Sequence, residues 1–198
     1  PGAAINPLYA ALKKLGGIDH VLARHVEGAS HMAEGYTRTN AGNIGVCIGT
    51  SGPAGTDMIT GLYAAAADSI PILCITGQAP VAVLHKEDFQ AINIDEIAKP
   101  LCKAAYRVLH AQDIGIGFAR AIRAAVSGRP GGVYLDLPAK LFGQVMNAEA
   151  GQKSLVKVID AAPAQLPSPA SIKRALDVLK GAKRPLIILG KGAAYAQA

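Results

Sequence analysis

The loop Gly49-Thr50-Ser51-Gly52-Pro53-Ala54-Gly55 is the first stretch whose composition could do chemistry. Glycine-rich backbone leading into a helix can present N–H groups to an anion. The spacing is neither the G-x-G-x-x-G of dinucleotide sites nor a P-loop, because no Lys-Ser/Thr pair follows. A plain structural turn explains the same residues equally well. His25 and His31 are possible metal ligands or bases, but six residues apart they do not share a helix face. No carboxylate or cysteine completes a zinc pattern around them. Glu27 and Glu34, seven apart, can share a face and read as helix-surface charge rather than a catalytic pair. Arg129, in Gly128-Arg129-Pro130-Gly131, and Lys191, between two glycines, could each hold a nucleotide phosphate. The alternative for both is a solvated cation in a loop.

These residues need elements that bring them to one place. The stretch Arg24-His25-Val26-Glu27-Gly28-Ala29 is delivered by an apolar run, Ile18 to Ala23, that reads as a short strand. It continues into a predicted helix, Glu27 to Thr39, with Ala29, Met32, Ala33 and Tyr36 at spacings of three and four on one apolar face. A predicted strand, Ile44–Ile48, leads to the glycine loop and then to an Ala-rich helix, Pro53–Ala67. Two strand ends therefore meet two helix starts within about forty residues, and in an open α/β sheet that carboxyl edge is where ligands bind.

Upstream, Asn6 to Leu15 reads as a helix with Asn6 as N-cap, Pro7 in its first turn, and Gly16-Gly17 as its stop. Downstream, Pro71–Thr76 is a continuous apolar run of the kind buried on both faces. Residues 84–90 read as a polar loop, Asp95–Ala98 as one helical turn and Cys102–Val108 as an edge strand. Asp113 caps a helix to Val126 with Ile114, Phe118, Ala121 and Ile122 as its stripe, and a sharp turn enters strand Val133–Leu137. Five or six strands alternating with helices predict an α/β fold with a doubly wound, largely parallel sheet. Residues 1–142 form this domain and residues 143–169, with Pro167-Ser168-Pro169, read as a linker. Residues 170–198, with helix Ser171–Lys180 and a buried strand Pro185–Leu189, open a second α/β domain. The chain begins at Pro1-Gly2 without Met, and the expectation is a fragment.

Composition narrows the class. Of 198 residues, 51% are hydrophobic and 5% aromatic, so a large core of Ala, Val, Ile and Leu is available. No apolar run is long enough for a membrane span, and the first residues show no basic n-region with a small-residue cleavage site. Cys47, Cys74 and Cys102 are odd in number, and the first two lie in apolar runs, as small buried hydrophobes of a reducing, cytoplasmic compartment. Residues 1–100 carry 6 Lys/Arg and 9 Asp/Glu, whereas residues 101–198 carry 14 and 5. The second half thus favours an anionic partner, although no aromatic-interleaved basic patch points to nucleic acid.

Taken together, Arg24-His25-Val26-Glu27-Gly28-Ala29, Met32-Ala33-Glu34-Gly35-Tyr36-Thr37-Arg38 and Thr50-Ser51-Gly52-Pro53 resemble the pyrimidine-binding domain of thiamine-diphosphate enzymes of the acetohydroxyacid synthase type. Gly2 with Asn6-Pro7, and Ser127-Gly128-Arg129-Pro130-Gly131 before Leu135-Asp136-Leu137-Pro138, continue the resemblance. Residues 1 to about 100, including His85-Lys86-Glu87-Asp88-Phe89-Gln90, look most like glyoxylate carboligases. Residues from about 98 to 198, including Leu189-Gly190-Lys191-Gly192, look most like oxalyl-CoA decarboxylases.

The resemblance implies a thiamine-diphosphate-dependent carboligase or decarboxylase. Two glyoxylates would give tartronate semialdehyde and CO2; the alternatives are oxalyl-CoA decarboxylation or a non-catalytic fragment that keeps only the fold. It implies cofactor contacts at Pro1, Gly2, Val26, Thr50, Gly52 and Asp57, and catalytic roles at Val26 and Gln90. Val26 departs from most of the superfamily, where a glutamate hydrogen-bonds the cofactor's pyrimidine; glyoxylate carboligases also carry valine. Glu27, one residue on, would point elsewhere. The resemblance further implies Mg2+ held by a domain outside these residues, FAD or ADP near Arg129 and Lys191, a 2-oxo acid or acyl-CoA substrate, and a homodimer or homotetramer with active sites between subunits.

Overall fold

The computed structural model describes residues 1–40 and 42–195. They form two compact units, Pro1–Ala162 and Pro163–Ala198. The first unit is built on a four-stranded, all-parallel sheet: β1 (Gly45–Gly49), β2 (Ile72–Gln78), β3 (Ala104–Arg107) and β4 (Gly132–Pro138), in the order β1-β2-β4-β3. The helices are α1 (Asn6–Leu15), α2 (Val26–Thr39), α3 (Pro53–Asp68), α4 (Ile94–Ala98), α5 (Ile114–Val126) and α6 (Ala148–Ser154). The predicted α/β class and the parallel sheet are present, with four strands rather than five or six.

Every residue of β2 and β4 is buried, as parallel strands covered on both faces require. Alternation divides them between two cores. Ile72, Cys74 and Tyr134 face α2, α3 and α4 with Ala33, Met58, Leu62 and Ile94. Leu73, Ile75, Val133 and Leu135 face the α5 side with Ala121 and Ala125. Cys47 and Cys74 are buried register partners in β1 and β2, with Sγ atoms 3.2 Å apart. The neighbouring Cys47 sulfur and burial push the Cys74 thiol well up, in keeping with a packing role.

Several elements differ from the sequence reading. Residues 18–23 are not a strand: they find no ladder partner among the described residues, and Ile18, Val21 and Leu22 are exposed. The cap of α1 is Ile5, with no side-chain bond, rather than Asn6. Helix α2 buries Ser30, Ala33, Glu34 and Thr37, while Met32 and Tyr36 stay about half exposed. Two of its buried polar groups are satisfied nearby, since Ser30 Oγ donates to the Glu27 carbonyl and Thr37 Oγ1 to those of Ala33 and Pro71. Glu34 is a buried ion-pair partner of Arg38 rather than surface charge. Within the expected linker, Asn147 caps α6 by accepting from the Ala150 N–H.

The second unit contains α7 (Pro169–Gly181), capped by Ser168, and α8 (Lys191–Tyr195). The expected buried strand at residues 185–189 is absent, and Leu186 to Leu189 are exposed. A strand-like apolar run needs a ladder to join, and none of the described residues offers one.

Candidate active site

Strand β1 ends at Gly49, and its continuation, Thr50-Ser51-Gly52, turns into α3 at Pro53. Three glycines of this loop are close-approach points. A β-carbon at Gly49 would lie 2.6 Å from Met58 Cε, and one at Gly55 2.9 Å from Ile94 Cγ1. One at Gly52 would lie 2.7 Å from Gln90 Cβ, and Gly52 also sits at φ 68°, ψ −129°, a conformation open to glycine. The buried Ser51 donates its hydroxyl to Gln90 Oε1 at 3.0 Å. From the other side Gly2 closes on Thr50, where an added β-carbon would stand 2.5 Å from Oγ1. Gly2, Thr50, Ser51, Gly52 and Gln90 thus form one cluster at the carboxyl edge of the sheet.

The start of α2 adjoins it. His25 is the N-cap, its Nδ1 accepting from the Glu27 N–H at 3.3 Å. An accepting Nδ1 places the ring proton on Nε2, which faces Asp57 Oδ2 at 3.7 Å. The N-terminal turns of α2 and α3 thus lie side by side at His25 and Asp57. Val26, the first residue of α2, is half-buried and packs on the Met58 and Leu62 core. Its side chain brings no proton donor or acceptor to this edge.

Behind the cluster lies a polar network that ties three strand ends to one loop. Arg107 of β3 donates from Nε to Asp136 Oδ2 of β4 at 2.7 Å. It also donates from one terminal nitrogen to Asn93 Oδ1 at 2.8 Å and Asp95 Oδ1 at 2.5 Å. Gln78, the last residue of β2, donates to the Ile92 carbonyl at 2.7 Å and more loosely to Asp136 at 3.4 Å. Asp136 is fully buried and its Oδ1 has no partner among the described residues. Burial pushes this carboxyl up to about 6, against the pull of the Arg107 guanidinium.

Comparison with known proteins places this geometry. Residues 1–98 match the family described as thiamine pyrophosphate enzyme, N-terminal TPP binding domain. This part of the chain belongs to that family. The whole chain is 57% identical over 198 residues to a glyoxylate carboligase of Escherichia coli O157:H7, covering 33% of that protein. It is 42% identical over 188 residues, 92% of the chain, to an oxalyl-CoA decarboxylase of Escherichia coli strain K12, covering 32% of it. An acetolactate synthase isozyme 1 large subunit of the same strain is 39% identical over 198 residues, with 34% of its length covered. The chain thus spans about a third of the length of these relatives. The likeness to glyoxylate carboligase runs through the second half of the chain as well as the first.

Within the TPP-binding domain, the fold brings together most of the residues singled out in the sequence. Gly2 meets Thr50, Gly52 meets Gln90, and Val26 and Asp57 stand at the two adjacent helix starts. Pro1 is exposed beside Gly2. Arg129 is elsewhere. Its guanidinium donates to Ser69 Oγ at 2.8 Å and to the Ala66 and Ala67 carbonyls, closing the far end of α3. The sixteen residues of α3 put that end about 24 Å from the glycine loop. Lys191 begins α8 in the second unit. Sequence reasoning missed Ser51, Gln78, Asn93, Arg107 and Asp136. A signal existed for Asp136, because a charge inside the apolar run Leu135-Asp136-Leu137 has to find a partner.

Proposed function

We propose that these residues are the N-terminal third of a thiamine-diphosphate-dependent carboligase that joins two glyoxylates into tartronate semialdehyde with release of CO2. The observation that carries this reading is Val26. An aliphatic side chain stands at the first position of α2, where the family resemblance leads one to expect a carboxylate, and the identity to glyoxylate carboligase over the whole chain agrees with it.

The residues present fit the pyrimidine half of the cofactor: an apolar wall at Val26 and hydrogen-bonding groups at Thr50 and Gln90, which Gly2 and Gly52 allow to close in. Among the described residues no group of three His, Cys, Asp or Glu is placed to hold a metal ion. As the family resemblance implies, the diphosphate and its Mg2+ are assigned to a domain outside these residues, in a homodimer or homotetramer. When bound, thiamine diphosphate supplies the nucleophilic carbon and the electron sink for loss of CO2. Val26 excludes water and offers no proton on this side. The Gln90 amide oxygen accepts from Ser51, so its N–H2 would be the group offered to a 2-oxo acid. Gly52 lets Gln90 approach.

A second reading, oxalyl-CoA decarboxylase, is favoured by the 14 Lys/Arg against 5 Asp/Glu of residues 101–198. In either reading an adenine nucleotide, FAD or ADP, is assigned to Arg129 of the first unit and, separately, to Lys191 of the second. No helix among the described residues is long and apolar enough to cross a membrane, and a cytoplasmic location accords with the buried thiols. The test is CO2 release by the full-length protein with thiamine diphosphate and Mg2+. Release from glyoxylate with tartronate semialdehyde as product supports the first reading. Release from oxalyl-CoA alone replaces it with the second, and release from neither leaves a fold without this chemistry.

A further inference from the structure

Residues 85–90, which carry Gln90 to the site, are held in an unfavourable backbone. His85, Glu87 and Gln90 have φ values of 65°, 54° and 58°, so three non-glycine residues among six are left-handed. Such a conformation is strained and persists only where its surroundings over-determine it. On the glycine-loop side, the surroundings are Gly52 and Ser51. On the other side they are the strand-end network. Gln78 grips the Ile92 carbonyl, and Arg107 grips Asn93 and Asp95, two to five residues beyond Gln90.

Arg107 suits this task because its planar fork serves two directions at once, Nε toward Asp136 and a terminal nitrogen toward the loop. Asp136 is fully buried in β4 and fixes the fork. The loop root is thereby referred to β2, β3 and β4, the rigid part of the fold.

We infer that Arg107, backed by Asp136 and Gln78, is the positioning residue for Gln90: it clamps residues 92–95 to the sheet edge and so presents the Gln90 side chain at Gly52. Arg107 itself does not touch the reacting atoms. The inference rests on the carboligase reading for its kinetic consequence, but not for its structural one.

Two measurements on the full-length protein, loaded with thiamine diphosphate and Mg2+, separate these. The first is amide hydrogen exchange in wild type and Arg107→Lys, which keeps the charge and loses the fork. Exchange at residues 85–93 is expected to be about tenfold faster in the variant, with β1 and α3 unchanged. If Arg107→Lys does not fold, Asn93→Ala removes one loop acceptor, leaves the strand-end residues intact and is expected to loosen the same residues. The second is a kinetic cycle. Arg107→Lys is expected to lower kcat with glyoxylate by roughly 10²-fold, the cost of a group misplaced by about 1 Å, with KM little changed. In a Gln90→Ala background it should cause no further loss, because coupled residues are non-additive. Unchanged exchange at residues 85–93, or full additivity with Gln90→Ala, overturns the inference. If the wild type does not act on glyoxylate, the carboligase reading fails, and the exchange result alone decides the positioning role.

Discussion

Gly52 packs so tightly on Gln90 that a β-carbon at residue 52 would stand 2.7 Å from the β-carbon of Gln90. The glycine loop of this domain is thus shaped by a protein neighbour. Its three close-approach glycines accommodate Met58, Gln90 and Ile94, the last two from the segment that follows β2. Replacing Gly52 by alanine adds this clash to a backbone conformation reserved for glycine. Gly52→Ala is expected to destabilise the protein by about 1–3 kcal/mol and to lower activity by displacing Gln90. Thermal unfolding together with kcat checks it. A variant with wild-type Tm would show that the loop can reshape freely.

Asp136 gives a pH signature. Its folded carboxyl is pushed up to about 6 from an ordinary 3.8, chiefly by burial. The folded state therefore holds this proton more tightly than the unfolded chain does. Its stabilising contribution is fully present below about 3.8 and is lost as pH rises to about 6, with a limiting slope of about 1.4 kcal/mol per pH unit. The stability of wild type minus that of Asp136→Asn is expected to fall across that window. Chemical denaturation at several pH values measures it, and a flat difference would mean that Asp136 titrates in the ordinary range.

Much of this architecture can be read from local pattern, and the failures share a cause. Strands β2 and β4 announce themselves as apolar runs, and α3 as an Ala-rich helix after Gly-Pro, because their environment is recorded in their own residues. Residues 18–23 and 185–189 look equally strand-like, yet a strand exists only with a neighbour, and the local pattern does not record one. The stripe of α2 was misread by one position, since Ser30 and Thr37 bury their hydroxyls against backbone carbonyls. At the site, the loop that holds Thr50 and Gly52 stands out by its composition, whereas Gly2 is singled out only by the family resemblance. The Arg107–Asp136 pair spans 29 positions and joins two strands adjacent only in the folded sheet, so no spacing rule finds it.

Arg129 carries a structural duty whatever else it binds. It donates to Ser69 and to the last carbonyls of α3, which have no partner inside the helix. Arg129→Ala is expected to cost about 0.5–1.5 kcal/mol, the net worth of such hydrogen bonds. Urea unfolding checks that loss without any nucleotide. Titration of the full-length protein with ADP and with FAD then tests the second role, and an unaltered affinity for both would confine Arg129 to capping α3.

Val26 is where the account is most exposed. An ordinary glutamate there would assist proton transfer at the pyrimidine, a contribution typically worth about 10²–10⁴-fold in the step it serves. The half-buried valine provides none. The decisive measurement is the rate of hydrogen–deuterium exchange at the thiazolium carbon of thiamine diphosphate bound to the full-length protein, in wild type and in Val26→Glu. The account predicts faster exchange in the variant, with a smaller share of condensed product relative to simple decarboxylation of glyoxylate. Equal or slower exchange in Val26→Glu would contradict it, because the cofactor's ring would then be served by some other acid.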